Sequence, residues 1–432
     1  MPRSTKRLSG PAAGLGLLLL AVGSSGCGHG PAPNTAPPPS SNETPEPPEP
    51  SACVVTRGAS SARDTISIAL AEPVDSAHAP IPENDAERLL FRQGYASPIR
   101  LDCEGGIHPG LASSWTPDSS GRVWTLVLGT DSSALAGESL TAERLAAEWR
   151  SREAAASALQ WAGVESVVPL DQHRLVVTLS QPQEHVPEVL ADPALAMPVG
   201  RGQDRPSLVT VSKSSDLRDA LDHGADVVQS GDPALVEYAK SRADRLTVPL
   251  PWNKTYVLLL PAGSNGLDSI VGTDSAGFRS ELARDAVHGD ARGAEPPFWW
   301  VNPSGCPRSA PASVPAAQPS GAVVYSRDDR IARDLAERIV ALAPLPGITA
   351  RGLSPADLLG SLQVGRERGY ILALPRWPVV PCRELAAWPP GVRVVPLVDT
   401  RLTAIVTRDL PRVTVDWDGA LRVGGDPKGD RR

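Results

Sequence analysis

The chain has 432 residues, enough for about two to four domains. Charged residues make up 21% of it and hydrophobic residues 41%, so the chain can bury a globular core. Lys and Arg number 42 against 49 Asp and Glu, and the net charge of −7 argues against a nucleic-acid-binding protein, which needs basic patches.

Residues 1–26 are predicted to be a signal peptide. Three basic residues among the first seven precede an apolar stretch from Ala12 to Gly23, which is too short to span a bilayer. The following Ser24-Ser-Gly-Cys27 resembles the lipobox of bacterial lipoproteins, although Ser24 stands where Leu is usual. We therefore expect an exported protein that is acylated on Cys27 and anchored to a membrane, facing the periplasm or the cell surface. A plain signal peptide with another cleavage site is the alternative.

Residues 27–60 are predicted to be a lipid-anchored, Pro-rich linker. Pro37-Pro38-Pro39 and the run from Pro45 to Pro50 offer nothing to bury and favour a polyproline II conformation. Such a linker would hold a folded body away from the membrane surface.

Four cysteines lie beyond Cys27, namely Cys53, Cys103, Cys306 and Cys382. An even number in an exported chain suggests two disulfides, for which three pairings are possible. We expect the first two to pair with each other and the last two likewise, because each pair falls within one predicted lobe. Free buried thiols are the alternative. The spacings fit no zinc site, and we expect no metal.

In chain order, apolar alternation predicts strands and capping residues predict helices. The predicted strands of the first 260 residues are 64–70, 123–128, a hairpin of 167–170 with 174–179, 208–211, 225–228, 246–250 and 256–260. The predicted helices are 83–93, a helix from Thr141 to Arg152, a helix from Asp216 to Asp222 closed by Gly224, and a helix that begins at Asp232-Pro233.

The alternation returns after residue 320. Strands are predicted at 322–325, 348–353 and 370–374, with helices that begin at Ser-x-x-Asp caps on Ser326 and Ser354. Strand–helix alternation favours parallel βαβ units, so we predict an α/β protein of two lobes with a crevice between them. The expected ranges are a first lobe at 61–262 with an inserted subdomain at about 84–165, a second lobe at 263–392, a return to the first lobe at 393–425 and a tail at 426–432.

Five segments together resemble one family. They are Gly106–Trp115 (GIHPGLASSW), Gly121–Leu128 (GRVWTLVL), Gly137–Glu143 (GESLTAE), Leu217–Asp226 (LRDALDHGAD) and the region from Arg330 to Trp377. Their order and spacing are similar to those of the bacterial extracellular solute-binding proteins of family 5, the dipeptide, oligopeptide and nickel type that feeds ABC importers. The resemblance covers about residues 61–420. It implies the two-lobed, type II periplasmic-binding-protein fold, with a ligand held between the lobes.

The chain departs from the family at three places. A Gly-rich aromatic segment after the first hairpin is replaced by Pro198-Val-Gly-Arg-Gly202. The acidic Asp-Pro stretch that follows the late Trp is absent, since Trp377 is followed by Pro378-Val-Val-Pro-Cys382. The second lobe is also short, which implies a pocket that is shallower or lost.

Ligands of open parallel sheets bind beyond the carboxyl ends of the strands. The candidate ligand-binding residues at these ends are Ser326, Ser354, Arg376 and Trp377 in the second lobe, and Lys213 and Ser230 in the first. The Arg376 guanidinium can form a bidentate hydrogen bond with a carboxylate, and the Trp377 ring provides a flat apolar surface. Helix capping by the serines and core packing of Trp377 are the alternatives. Trp299-Trp300 fits pocket lining or hinge packing equally well.

No sequence motif of catalysis stands out: a nucleophile elbow, a metalloprotease helix, a phosphate-binding loop and a dinucleotide fingerprint are all missing. We therefore expect no enzyme and no cofactor. The predicted function is that of a substrate-binding lipoprotein that captures a peptide or a similar small polar solute for an ABC permease. The alternative is a lipoprotein that keeps this scaffold for an interaction or assembly role without transport.

Overall fold

The computed structural model describes residues 53–58, 65–129, 140–199, 207–211, 216–261, 267, 276–295, 321–343, 346–378, 388 and 391–424. All of them belong to one compact unit, Pro50–Arg432. Several predicted features lie outside the described residues: the signal peptide, the linker up to residue 52, Cys27, Lys213, Trp299-Trp300, Cys306 and Cys382. Within the described ranges, no helix combines the length and the apolarity that crossing a bilayer requires.

The strands in chain order are β1 Val54–Thr56, β2 Thr65–Ala69, β3 Tyr95–Ala96, β4 Ile99–Leu101, β5 Ile107–Pro109, β6 Ala112–Pro117, β7 Val123–Leu128, β8 Val164–Pro169, β9 Arg174–Leu179, β10 Met197–Pro198, β11 Ser207–Val211, β12 Val227–Ser230, β13 Arg245–Pro249, β14 Lys254–Leu260, β15 Ala291–Gly293, β16 Ala322–Ser326, β17 Thr349–Leu353, β18 Gly369–Pro375, β19 Arg393–Thr400, β20 Thr403–Thr407, β21 Val413–Val415 and β22 Leu421–Val423. The α-helices are α1 Asp85–Gly94, α2 Ala142–Ser151, α3 Glu153–Trp161, α4 Val186–Val189, α5 Leu217–Asp222, α6 Pro233–Lys240, α7 Ala276–Ala286, α8 Arg330–Leu342 and α9 Pro355–Val364.

The first lobe is built on a five-stranded sheet in the order β11-β2-β12-β20-β13. Strands β11, β2 and β12 run parallel, whereas β20 is antiparallel to both of its neighbours. One face, with Ile66 and Ile68, packs in a core with residues of α1 and of the small sheet β1-β21-β22. The other face, with Ala69 and Val228, packs in a second core with residues of α5 and α6. The sheet is therefore covered on both sides, as a parallel sheet requires.

A subdomain is inserted in the first lobe. Its sheet is antiparallel, in the order β6-β7-β9-β8, and its core extends from Ile99 to Met197. Helix α2 begins after Thr141, whose hydroxyl accepts a hydrogen bond from the Arg144 N–H, as the sequence predicts. The buried Trp149 indole donates a hydrogen bond to the Leu195 carbonyl at 2.9 Å. The subdomain core thus continues beyond residue 165, where the sequence places its end.

The second lobe is built on a six-stranded sheet in the order β15-β19-β14-β18-β16-β17. The predicted βαβ units are present, because β16 runs parallel to both β17 and β18. Helices α7 and α8 cover one face, and α9 covers the other.

The crossings between the lobes differ from the lobe boundaries expected after residues 262 and 392. Strands β14 and β19 pair with each other inside the second sheet, so the chain crosses at 250–253 and at 401–402. The cause is that β14 is buried on both faces from Thr255 to Leu260, which suits a central strand of the larger sheet.

Most predicted helix ends are confirmed, and one is wrong. Ser354 caps α9, and Gly224 ends α5 with φ of 88°. Ser326, however, is the last residue of β16 and does not cap α8. Asp329 does so: its carboxylate accepts a hydrogen bond from the Ala332 N–H at 2.9 Å, because the strand continues through Ser326 and the helix begins only at Arg330.

The disulfide between Cys53 and Cys103 is confirmed, with Cα atoms 5.4 Å apart. It joins the start of β1 to the turn after β4. The expected pair of Cys306 with Cys382 lies outside the described residues and stays a prediction.

Candidate functional site

A cavity of about 450 Å³ lies where the chain crosses between the lobes. We call it the Arg376 cavity. Both lobes and the first crossing line it, with Cys103, Val248, Pro249, Leu250, Pro251, Trp252, Thr255, Arg292, Glu295, Arg376, Asp399, Arg401 and Val415. Its volume suits a small solute rather than a macromolecule.

Arg376 is a half-buried cation that forms no ion pair with a described residue. It directly follows β18, and its backbone N–H donates a hydrogen bond to the Asn253 carbonyl at 2.7 Å, which fixes it beside the first crossing. Burial lowers the pKa of Arg376, and the nearby carboxylates Asp399 and Asp418 oppose that effect. Within the described residues, its guanidinium has no carboxylate or hydrogen-bond acceptor in contact distance. An arginine remains charged in such surroundings, so the Arg376 guanidinium can form a bidentate hydrogen bond with an anion.

A carboxylate lies in the same cavity. Asp399 accepts hydrogen bonds from the Thr255 hydroxyl at 2.6 Å and from Arg292 Nε at 3.2 Å. Burial raises the pKa of Asp399, whereas these two hydrogen bonds and the charge of Arg292 lower it. Arg292 also pairs with Glu295 at 3.0 Å. The cavity therefore holds positive and negative groups side by side.

Trp252 forms a flat wall at the first crossing. Two guanidinium groups lie over its ring, with the Cζ atom of Arg292 at 4.7 Å and that of Arg401 at 4.2 Å from the ring centroid. Arg401 is held in turn by Asp290, with Nε and Oδ2 at 2.6 Å. The contact between Trp252 and Arg401 links the two crossings, because Trp252 lies in the first and Arg401 in the second.

The predicted binding residues are not gathered in one place. Arg376 lines the cavity, while the neighbouring Trp377 is half-buried and is not among the lining residues. Ser230 lines two smaller cavities, and its hydroxyl accepts a hydrogen bond from the Asp232 N–H. Ser326 and Ser354 lie at element ends away from the Arg376 cavity.

The sequence did not predict the roles of Trp252, Arg292, Asp399 and Arg401. All four lie at or near the crossings, which the sequence placed elsewhere. The short break Pro251-Trp252-Asn253 between two apolar strands could have indicated the first crossing and Trp252. Among the described residues, no three His, Cys, Asp or Glu side chains form a group that could hold a metal ion.

Comparisons with known proteins show the fold. No protein-family model matches the chain, and no curated protein matches it. Solved structures do match along most of their length. NikZ from Campylobacter jejuni in complex with Ni(L-His) is 13% identical with a TM-score of 0.58, over 83% of this chain and 97% of that one.

Two further solved structures match at similarly low identity and over most of both chains. A dipeptide-binding protein from a Pseudoalteromonas species in complex with Met-Leu is 11% identical with a TM-score of 0.58, over 84% of this chain and 99% of that one. The Escherichia coli murein tripeptide-binding protein MppA is 11% identical with a TM-score of 0.54, over 80% and 94%. At such identities the likeness shows the fold, which is that of the two-lobed α/β periplasmic binding proteins. The predicted fold class is confirmed, and the resemblance stated from the sequence is confirmed at the level of the fold.

Proposed function

We propose that the protein is an exported solute-binding protein that captures a small, peptide-like solute in the Arg376 cavity and delivers it to an ABC permease. The observation that carries the proposal is a half-buried guanidinium, in a cavity between two lobes, that pairs with no side chain of the described part of the chain. The solute-binding names of the similar structures support it. The Cys27 lipobox and the Pro-rich linker suit a lipid-anchored form of such a protein.

The charges of the cavity suggest how the solute would lie. The Arg376 fork suits a carboxylate, while Asp399 and Glu295 would face a positively charged amine. Trp252 provides apolar surface between the two ends. A hydrogen bond to a charged group contributes about 1.5–3 kcal/mol, or roughly 10-fold to 150-fold in affinity. Loss of the Arg376 contact should therefore be measurable.

The test is a thermal-shift and calorimetric screen of amino acids, dipeptides, dipeptide C-terminal amides and Ni²⁺. A solute that binds only the folded protein raises its melting temperature. Dipeptides should raise it more than their C-terminal amides do. Arg376→Gln should weaken binding of the free carboxylates by at least about tenfold and leave binding of the amides nearly unchanged. Arg284→Gln is the matched control, because Arg284 is 71% exposed on α7 and is not among the residues that line the cavity.

A scaffold without transport is the second candidate. Direct contacts between the lobes favour it, since Lys254 pairs with Asp85 and the Asn253 side chain donates a hydrogen bond to the Asp418 carbonyl. If no solute of the screen shifts the melting temperature of the unaltered protein, the scaffold is favoured. If Arg376→Gln and Arg284→Gln weaken solute binding equally, Arg376 does not contact the solute.

A further inference from the structure

The chemistry of the Arg376 cavity wall depends on which lobe supplies it. The second lobe and the second crossing supply polar and charged side chains, namely Thr255, Arg292, Glu295, Arg376, Asp399 and Arg401. The first lobe and the start of the first crossing supply uncharged side chains, namely Cys103, Val248, Pro249, Leu250, Pro251 and Val415. We call these six residues the apolar wall. Trp252 lies where the two walls meet, because Arg292 and Arg401 both contact its ring.

The apolar wall also offers a solute few hydrogen-bond donors. Pro249 and Pro251 have no backbone N–H. The N–H groups of Leu250 and Val415 already donate to backbone carbonyls elsewhere in the chain, at 2.9 Å in each case. The sulfur of Cys103 is bonded to another cysteine and carries no proton. A polar group of a solute placed against this wall would lose its water and find little in return.

We infer that the solute carries an apolar side chain, which packs against the apolar wall while its charged ends contact the second lobe. The inference rests on the proposed function and narrows it to amino acids and short peptides with such a side chain. The cavity of about 450 Å³ lies toward the lower end of the range of about 300–1,000 Å³ that is typical of ligand pockets, which suits one or two residues.

The dipeptides Ala-Leu and Ala-Asn separate this preference from an effect of size, because the side chains of leucine and asparagine have nearly the same shape. Burial of the leucine side chain favours binding, whereas burial of an unpaired amide opposes it. Ala-Leu should therefore bind at least about tenfold more tightly than Ala-Asn. Ala-Asp and Ala-Lys should bind more weakly than Ala-Leu as well, because each would bring an unpaired charge to the apolar wall.

Val248 provides the variant that tests the wall itself. Its side chain is half-buried on β13, which is an edge strand of the first-lobe sheet. Val248→Thr keeps the shape of the side chain, suits a strand and adds a hydroxyl to the wall. Val364→Thr is the matched control, because Val364 is exposed at the end of α9 and does not line the cavity. Thermal melting followed by circular dichroism checks that both variants fold.

Calorimetric titration gives the dissociation constants of Ala-Leu and Ala-Asn for the three proteins. The expected result is a preference for Ala-Leu that falls by at least about threefold in Val248→Thr and is unchanged in Val364→Thr. Equal affinity of the unaltered protein for the two dipeptides would overturn this inference and leave the proposed function standing. A preference that Val248→Thr leaves unchanged would overturn the apolar wall as its cause. If neither dipeptide binds, the proposed function fails for peptides, and this inference fails with it.

Discussion

An ion pair that joins the two lobes offers a sharp test of the fold. Lys254, the first residue of β14, lies with Nζ 3.0 Å from Oδ2 of Asp85, the first residue of α1. The Asp85 side chain is 13% exposed and that of Lys254 27%. Arg88 also pairs with Asp85. Burial raises the pKa of Asp85, but the two cations outweigh it and hold that pKa well below its usual range.

The magnitude follows from distance and burial. At 3.0 Å and an effective dielectric constant of about 20, the Coulomb attraction is about 5.5 kcal/mol. Desolvation offsets much of it, and the partial exposure of Lys254 screens it further. We therefore expect a coupling energy of about 1.5–2 kcal/mol between Asp85→Asn and Lys254→Met, measured by urea denaturation of the two single variants and the double variant.

The matched control is the pair of Glu237 with Lys240, which is as short at 2.7 Å but has side chains 70% and 52% exposed. Its coupling in Glu237→Gln and Lys240→Met should stay below about 0.5 kcal/mol. Equal coupling in the two pairs would refute the reasoning that burial sets the difference.

The pH dependence gives a second check on the same pair. Because the folded protein lowers the pKa of Asp85, its stabilisation is complete above the unfolded value of about 4 and is lost as the pH falls toward the folded value. The destabilisation caused by Asp85→Asn should therefore shrink between pH 5 and pH 3. A penalty that stays constant over this range would contradict the depressed pKa.

The remaining predictions concern the cysteines. Replacing Cys53 and Cys103 together by Ala should lower the free energy of unfolding by about 4 kcal/mol, because the disulfide closes a loop of 50 residues; a reductant should destabilise the unaltered protein by about this amount more than it destabilises the double variant. Peptide mapping without reduction should also recover Cys306 joined to Cys382, and alkylation of both without reduction would exclude that bond. Cys27→Ser should move the protein from the membrane to the soluble exported fraction, whereas unchanged membrane partition with unchanged acyl labelling would exclude Cys27 as the anchor.

The local parts of this fold could be predicted from the sequence. Strand β7 was expected at 123–128 and is found there, because this short run consists of β-branched, aromatic and leucine residues. The helix start at Ser354 and the helix end at Gly224 could also be predicted, because each depends only on residues within one helical turn. The cap predicted at Ser326 was wrong, because β16 continues through that residue and Asp329, three residues later, accepts the hydrogen bond at the start of α8.

Sheet membership could not be predicted in the same way. Both β14 and β19 read as apolar strands, and nothing in either segment says which sheet it joins. Their pairing joins residues more than a hundred positions apart, such as Thr255 with Asp399. That long-range pairing also assembles the cavity, so Arg376 was found from the end of β18 while Asp399 and Arg401 were not.

On the proposed function, the charge of Arg376 would make closure depend on the solute. Narrowing the cavity would remove water from a guanidinium that pairs with no side chain of the described residues, since Asp399 and Asp418 act on it only through their nearby charge, and burying an unpaired charge costs several kcal/mol. Asp399 creates no such barrier, because Thr255 and Arg292 already satisfy it. A bound carboxylate would supply the missing partner for Arg376 and so remove the cost. Closing without a solute would then be opposed, which is the behaviour a binding protein needs if the closed form is to signal that it carries a solute.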